Sequence, residues 1–179
     1  SISIEKRIDF SNEIVCRCLK YRYPGCEKPV FSNLDFRIKK GQTIAIVGKS
    51  GVGKTTLADI ILGLLKPEEG ELTVDGVLID DTSSALGETV GFVPQAVYLL
   101  DDTIRNNIAF GVDSDEINED KAWEALRQAQ LEDMVLKLPK QLDTIIGDRG
   151  VRLSGGQRQR LAIARALYAE PEILVLDEA

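Results

Sequence analysis

The sequence predicts an α/β fold: a parallel-sheet core, opened by an antiparallel β-subdomain and interrupted by an inserted helical subdomain. Three observations carry this. Residues 1–40 are strand-rich, with apolar and polar positions alternating at the period of a half-buried sheet. TIAIV (43–47) and ILVL (173–176) are short all-apolar runs, suited to strands buried on both faces. Between them, residues 114–138 change to the longer period of a helix.

Taken in order, Ile14, Cys16, Cys18 and Lys20 alternate with Val15, Arg17 and Leu19, which predicts a strand with Cys16 and Cys18 on one face. Pro24-Gly25 marks a turn, and FSNLDFRI (31–38) alternates again until Lys39-Lys40-Gly41 ends it. After the TIAIV strand, a helix is expected from about Thr55 to Leu65, with Leu57, Ile60, Ile61, Leu64 and Leu65 on one side and Lys66-Pro67 as the stop. ELTVDGVLID (71–80) predicts a hairpin around Asp75-Gly76, and Val90 to Val93 a short strand. Residues 114–138 place Ile117, Ala122, Ala125, Leu126, Ala129, Met134, Val135 and Leu138 at helical spacing. A further helix is expected from Gln157 to Ala169, and ILVL is the last strand. The expected organisation is residues 1–96 as β-subdomain and core, 97–153 as helical subdomain, and 154–179 as a helix and closing strand. Because a parallel strand wants a crossover beyond it, the end at Ala179 reads as a truncation, with the C-terminal part of the core missing.

With 179 residues, 44% hydrophobic and 28% charged, the chain has the make-up of a globular domain with a substantial core. Its net charge of -7 argues against a nucleic-acid partner, and the one basic knot is Arg149, Arg152, Arg158 and Arg160. No run approaches the roughly 20 apolar residues of a membrane span. The longest, LADIILGLL (57–65), contains an aspartate, and SISIEKRIDF lacks the apolar region of a signal peptide. Three cysteines without a single histidine make a poor zinc set, so Cys16, Cys18 and Cys26 read as small buried or half-buried thiols in a reducing compartment.

GKSGVGKTT (48–56) stands between a predicted strand and a predicted helix, and Gly48, Gly53, Lys54 and Thr55 fit G-x-x-x-x-G-K-[ST]. Glycines let the backbone turn tightly and aim successive N–H groups at an anion, and the helix N-terminus adds partial positive charge. Lys49, Ser50, Gly51 and Thr56 complete the candidate phosphate cradle. Lys54 can reach the β- and γ-phosphates, and the Thr55 hydroxyl can ligate Mg²⁺. The core is thus that of a P-loop NTPase, a class that also holds kinases and small GTPases. ILVLDE (173–178) is an apolar strand ending in two acids: Asp177 as a Mg²⁺ ligand through water, Glu178 as the base for an attacking water. In LSGGQRQR (153–160), Ser154, Gly155, Gly156 and Gln157 precede or open an amphipathic helix, a second anion site of the same physical kind. One triphosphate pocket has no use for a second γ-phosphate binder, which points to a nucleotide held by another copy. A kinase leaves this motif unexplained.

Phosphate loop, LSGGQ and ILVLDE in this order resemble the nucleotide-binding domain of an ABC transporter, over essentially the whole chain. The resemblance implies ATP and Mg²⁺ as cofactors, and two such domains, alike or different, closing head-to-tail on two nucleotides. A transmembrane domain in the same or a partner chain would place the motor at the cytoplasmic face of the cell membrane. Gln95, after VGFVP, is similar to the glutamine that touches Mg²⁺ and water at the contact with the membrane domain. Tyr23, in KYRYPG, is similar to the aromatic that stacks on adenine; Tyr21 is expected on the same strand face. TIIGDRG (144–150) and DDTIRNNIAFG (101–111) resemble exporter-type members. The segment that follows Asp-Glu-Ala in the family, with its switch histidine, is absent, so the stretch alone is expected to bind Mg-ATP and hydrolyse it slowly. A soluble ABC-type ATPase of translation or DNA repair is the alternative, weakened by the lack of a heptad run and of a basic stripe.

Overall fold

A computed structural model of the chain describes residues 10–49, 51–79, 90–147 and 150–177. It divides into two compact units, Ser1–Val90 and Gly91–Ala179.

The first unit is built on a four-stranded sheet with strands β1 (Glu13–Tyr21), β2 (Phe31–Lys39), β3 (Glu69–Val74) and β4 (Val77–Leu78) in the order β2-β1-β3-β4. All neighbours are antiparallel, as expected for the opening lobe. Ile14 pairs with Ile38 and Val74, and Cys16 with Phe36 and Leu72. The alternation then breaks. Both ladders of β1 slip by one residue after Cys16 and Arg17, and Cys18 takes a left-handed φ of 50°. This is a β-bulge, in which an inserted residue reverses the face of everything beyond it. Asp35 holds it by accepting the Cys18 N–H at 2.7 Å. Gly70 makes room for it, since a Cβ there would lie 2.5 Å from the Arg17 and Cys18 carbonyl oxygens. Leu19 and Tyr21 therefore join Ile14 and Cys16 on the buried face, and Cys18 is exposed. The expected shared face of Cys16 and Cys18 is corrected by the bulge. Cys16 alone is a buried thiol, pushed up to about 12 chiefly by burial; Cys18 and Cys26 are free and exposed.

Asp75-Gly76 forms the expected two-residue hairpin loop, both residues at positive φ (50° and 80°), the signature of a type I′ turn. The Asp75 carboxylate accepts three backbone N–H bonds, from Ser11 (2.5 Å), Asn12 (2.8 Å) and Glu13 (2.7 Å). These bonds, the one from Glu13 foremost, hold its pKa below the usual carboxylate range. A depressed carboxylate contributes stability that is present above the unfolded Asp value, near 3.9, and lost as pH falls through the folded value. Asp75→Asn tolerates the same backbone and keeps one acceptor oxygen. It should lower the unfolding midpoint at pH 7 and leave it less sensitive to acid below about pH 4, as read by thermal melts across pH. Equal midpoint losses at pH 7 and pH 2 would contradict this.

Two further expectations in this unit are corrected. Residues 43–47 form no strand: they pair with no strand of the sheet, and Ile44 (47%), Ile46 (47%) and Val47 (88%) are exposed. Apolar character predicts burial only where neighbouring strands cover both faces, and among the described residues of this unit none pairs with the run. The helix α1 (Lys54–Ile61) is shorter than Thr55–Leu65. Gly63 at φ 74° ends it, with Gly63 N–H donating to Ile60 O and Leu64 N–H to Asp59 O. That pair of bonds is a Schellman cap, and it turns Leu64 out to 67% exposure.

The second unit contains β5 (Val90–Val93) paired with β6 (Ile173–Leu176), and a helical body: α2 (Ile104–Ile108), α3 (Glu119–Gln128), α4 (Glu132–Leu136) and α5 (Gly155–Tyr168). The expected helical run over 114–138 is two helices, capped first by the Asn118 side chain and interrupted at Gln130, whose φ is 55°. Leu126, Leu131, Val135, Leu142 and Ile146 pack with Ile104 and Ile108, and against Leu161 and Ala164 of α5. Asn107 is fully buried and satisfied, its amide bonding Leu100 N and O and Thr103 O. Arg165 of α5 donates to Asn107 O (2.7 Å), Asn107 Oδ1 (3.1 Å) and Tyr98 O (2.9 Å). Burial lowers its pKa, and three neutral oxygens and the Phe110 ring at 5.2 Å hold the cation. Among the described residues, no helix is long and apolar enough to cross a membrane.

Candidate nucleotide-binding site

In the first unit, Gly53 is the N-cap of α1 at φ 101°, a left-handed conformation that glycine adopts without a Cβ penalty. Its missing Cβ matters twice, because one would lie 2.4 Å from Val30 Cγ1. Glycine has no side chain to cap the first turn of α1, and a helix N-terminus of this kind suits an anion. Gly51 is also left-handed, at φ 79°. Lys54 Nζ folds back and donates to Gly48 O (3.0 Å) and Lys49 O (3.2 Å), which cinches the loop around its own cation. Thr55 is exposed at the mouth, whereas Thr56 is 5% exposed. Ser50 lies outside the described residues.

Thr56 Oγ1 hydrogen-bonds the Tyr23 hydroxyl at 2.9 Å, so the structure brings two candidate residues together that are far apart in sequence. Tyr23 lies beyond the end of β1 and is 41% exposed, while Tyr21 is 6% exposed. The expectation that both share one face is corrected: the bulge turns Tyr21 inward and the strand ends before Tyr23.

In the second unit, Ser154 caps α5 with a capping box. Its hydroxyl accepts the Gln157 N–H (3.2 Å), and Gln157 Oε1 accepts the Ser154 N–H (2.8 Å). Helix α5 starts at Gly155, two residues before the expected Gln157. A Cβ on Gly156 would meet nothing within 4 Å, so there is open space beside this residue. At the end of the strand pair, the Asp177 N–H donates to Val93 O at 2.9 Å. This places Asp177 level with the end of β5, two residues before the exposed Gln95. The Thr55 hydroxyl in the first unit, and the Gln95 amide and Asp177 carboxylate in the second, are each hard oxygen donors of the kind Mg²⁺ takes. Glu178 lies outside the described residues. Among those described, no group of three His, Cys, Asp or Glu could hold a metal.

Beyond Gln95, Val97–Asp101 line a cavity of about 730 Å³ with Ile146, Gly147, Leu153 and two arginines, Arg152 and Arg158. Here the segment after Gln95 meets Thr144–Gly147, two stretches that sequence alone linked only through a common resemblance; Asp148 and Arg149 lie outside the described residues. Tyr98, 79% exposed, stands on its rim. Sequence reading missed Asn107 and Arg165, whose signal was a polar residue at a core position of a short apolar helix.

Glycine cradle, capped serine-glycine turn and acid-tipped strand define a nucleotide-binding protein of the P-loop class. The family model for ABC transporters matches residues 31–179, and the chain belongs to this family. It is 46% identical over 151 residues to the ABC transporter ATP-binding protein YwjA of Bacillus subtilis (strain 168), covering 84% of this chain and 26% of the relative. It is 43% identical over 170 residues to the ATP-dependent lipid A-core flippase of Salmonella typhimurium, covering 94% of this chain and 29% of the relative. A bacterial Atm1-family ABC exporter with ATP bound superposes with a TM-score of 0.83 at 33% identity, over 99% of this chain and 31% of that one. The chain thus spans between a quarter and a third of the length of these proteins.

Proposed function

We propose that this chain is the ATP-binding and hydrolysing motor of a membrane exporter or flippase. Gly48, Lys49, Ser50, Gly51, Gly53, Lys54, Thr55 and Thr56 hold the triphosphate, Tyr23 stacks on adenine, and Thr55, Gln95 and Asp177 hold Mg²⁺, which neutralises phosphate charge. Glu178 deprotonates the attacking water, and Gln95 orients it. Ser154, Gly155, Gly156 and Gln157 bind the γ-phosphate on a second such domain, identical or related. The γ-phosphate then favours the closed pair, and its loss reopens it.

The observation that supports this reading most is the serine-capped, glycine-led start of a 14-residue helix, an end that suits an anion. The cavity lined by Val97–Asp101 and Ile146–Gly147 is the surface where a membrane domain docks, at the cytoplasmic face. The domain boundaries proposed are 1–96, 97–153 and 154–179. The test is ATP hydrolysis by the full-length protein in lipid vesicles. It should require Mg²⁺ and change with the membrane domain's occupancy, and the full-length chain or its partner should carry apolar spans of roughly 20 residues each. A full-length protein without such spans or a membrane partner would favour a soluble ATPase of the same family.

A further inference from the structure

Tyr23 alone carries the proposed adenine platform, yet an exposed ring past the end of a strand has little to hold its plane. Its hydrogen bond to Thr56 does not do so. The hydroxyl lies on the axis about which a phenol ring flips, so the bond fixes the tip of the side chain and leaves the ring free to turn. Among the described residues, the ring packed against that of Tyr23 is Tyr21, and this contact resists the turn. Its ring centroid is 5.1 Å from that of Tyr23 at an interplanar angle of 87°, the perpendicular arrangement aromatic quadrupoles favour. Tyr21 is buried and leans at 37° on Phe31, 6.4 Å away. Phe31 in turn reaches within 3.4 Å of where a Cβ on Gly53 would stand. The support of the base platform and the wall of the phosphate loop are thus one packed unit.

Two further features belong to the same device. Helix α1 presents Thr56 and Asp59, three residues apart and so on one face, to the tyrosine pair. Thr56 bonds Tyr23; burial first, then the charges of Tyr23 and Asp59, push the Tyr21 phenol pKa up. The Cys18 bulge is what turns Tyr21 inward, since regular alternation from Ile14 and Cys16 would send it to the other face.

We propose that Tyr21, turned inward by the bulge at Cys18, is a positioning residue that sets the ring plane of Tyr23 and thereby the affinity for the base of the nucleotide. The inference rests on Tyr23 stacking on adenine, as proposed above.

The experiment compares binding of ATP with binding of inorganic tripolyphosphate, which has no base, in the full-length protein and in Tyr21→Phe, Tyr21→Leu and Tyr23→Ala. Thermal melts are recorded alongside, and Tyr21→Met replaces Tyr21→Leu should the latter not fold. Tyr21→Leu should weaken ATP about fivefold and leave tripolyphosphate unchanged, whereas Tyr21→Phe, which keeps the ring, should stay within about twofold for both. Tyr23→Ala should lower the ATP-to-tripolyphosphate ratio at least as far as Tyr21→Leu. A merely structural Tyr21 would weaken both ligands together, and that result overturns the proposal. So does an unchanged ratio in Tyr21→Leu while Tyr23→Ala lowers it. An unchanged ratio in Tyr23→Ala overturns the stacking role itself, and the positioning role with it.

Discussion

Lys54→Ala should weaken ATP binding by about a hundredfold. The loop holds this ammonium through Gly48 O and Lys49 O. A charge-assisted hydrogen bond contributes about 1.5–3 kcal/mol, and the lysine is placed to make such bonds to two phosphates at once. Part of the loss comes from the empty state, because without Lys54 nothing replaces the two bonds that keep the loop carbonyls turned in. The variant should therefore melt slightly lower without nucleotide and gain almost nothing on adding it, whereas the wild-type protein is stabilised by its ligand. Titration with a fluorescent ATP analogue reads the affinity directly. An affinity within a few-fold of wild type would remove the loop from the binding site.

Glu178→Gln should lower kcat by about 10²–10⁴-fold while leaving ATP affinity nearly intact. Glutamine keeps the size and one acceptor oxygen of glutamate but cannot take a proton from water. The neighbouring Asp177 should behave differently. It is anchored through its N–H to Val93 O, and Asp177→Asn removes a charge assigned to Mg²⁺, so binding should weaken together with turnover. Single-turnover hydrolysis and equilibrium titration on the full-length protein separate these two outcomes. A Glu178→Gln protein that turns over within a few-fold of wild type would move the base elsewhere.

What sequence could read followed what is local. The Asp75-Gly76 hairpin was legible because two positive φ angles in succession demand such residues. The start of α5 was nearly so, since serine followed three residues later by glutamine is a capping box in one-letter code. The Schellman cap at Gly63 was legible in principle, but the apolar Leu64 and Leu65 masked it. The bulge was not. Its partners, Asp35 and Gly70, lie far from Cys18 in sequence, and a period-two pattern gives no warning of an inserted residue. Every error about Cys18, Leu19 and Tyr21 follows from that one slip. Likewise, the apolar run at 43–47 advertises burial, but burial depends on strands supplied from elsewhere in the chain. The bond from Tyr23 to Thr56 and the clamp from Arg165 to Asn107 are tertiary facts that no window of sequence contains.

Everything functional above depends on γ-phosphate being gripped from two sides by different domains. The most direct check is a structure of the full-length Glu178→Gln protein with Mg-ATP. It should show the Ser154 hydroxyl and the Gly156 amide within hydrogen-bonding reach of the γ-phosphate that Lys54 of the opposing domain holds. ATP seated on Lys54 with the turn at Ser154–Gly156 facing solvent or protein in every copy would contradict it.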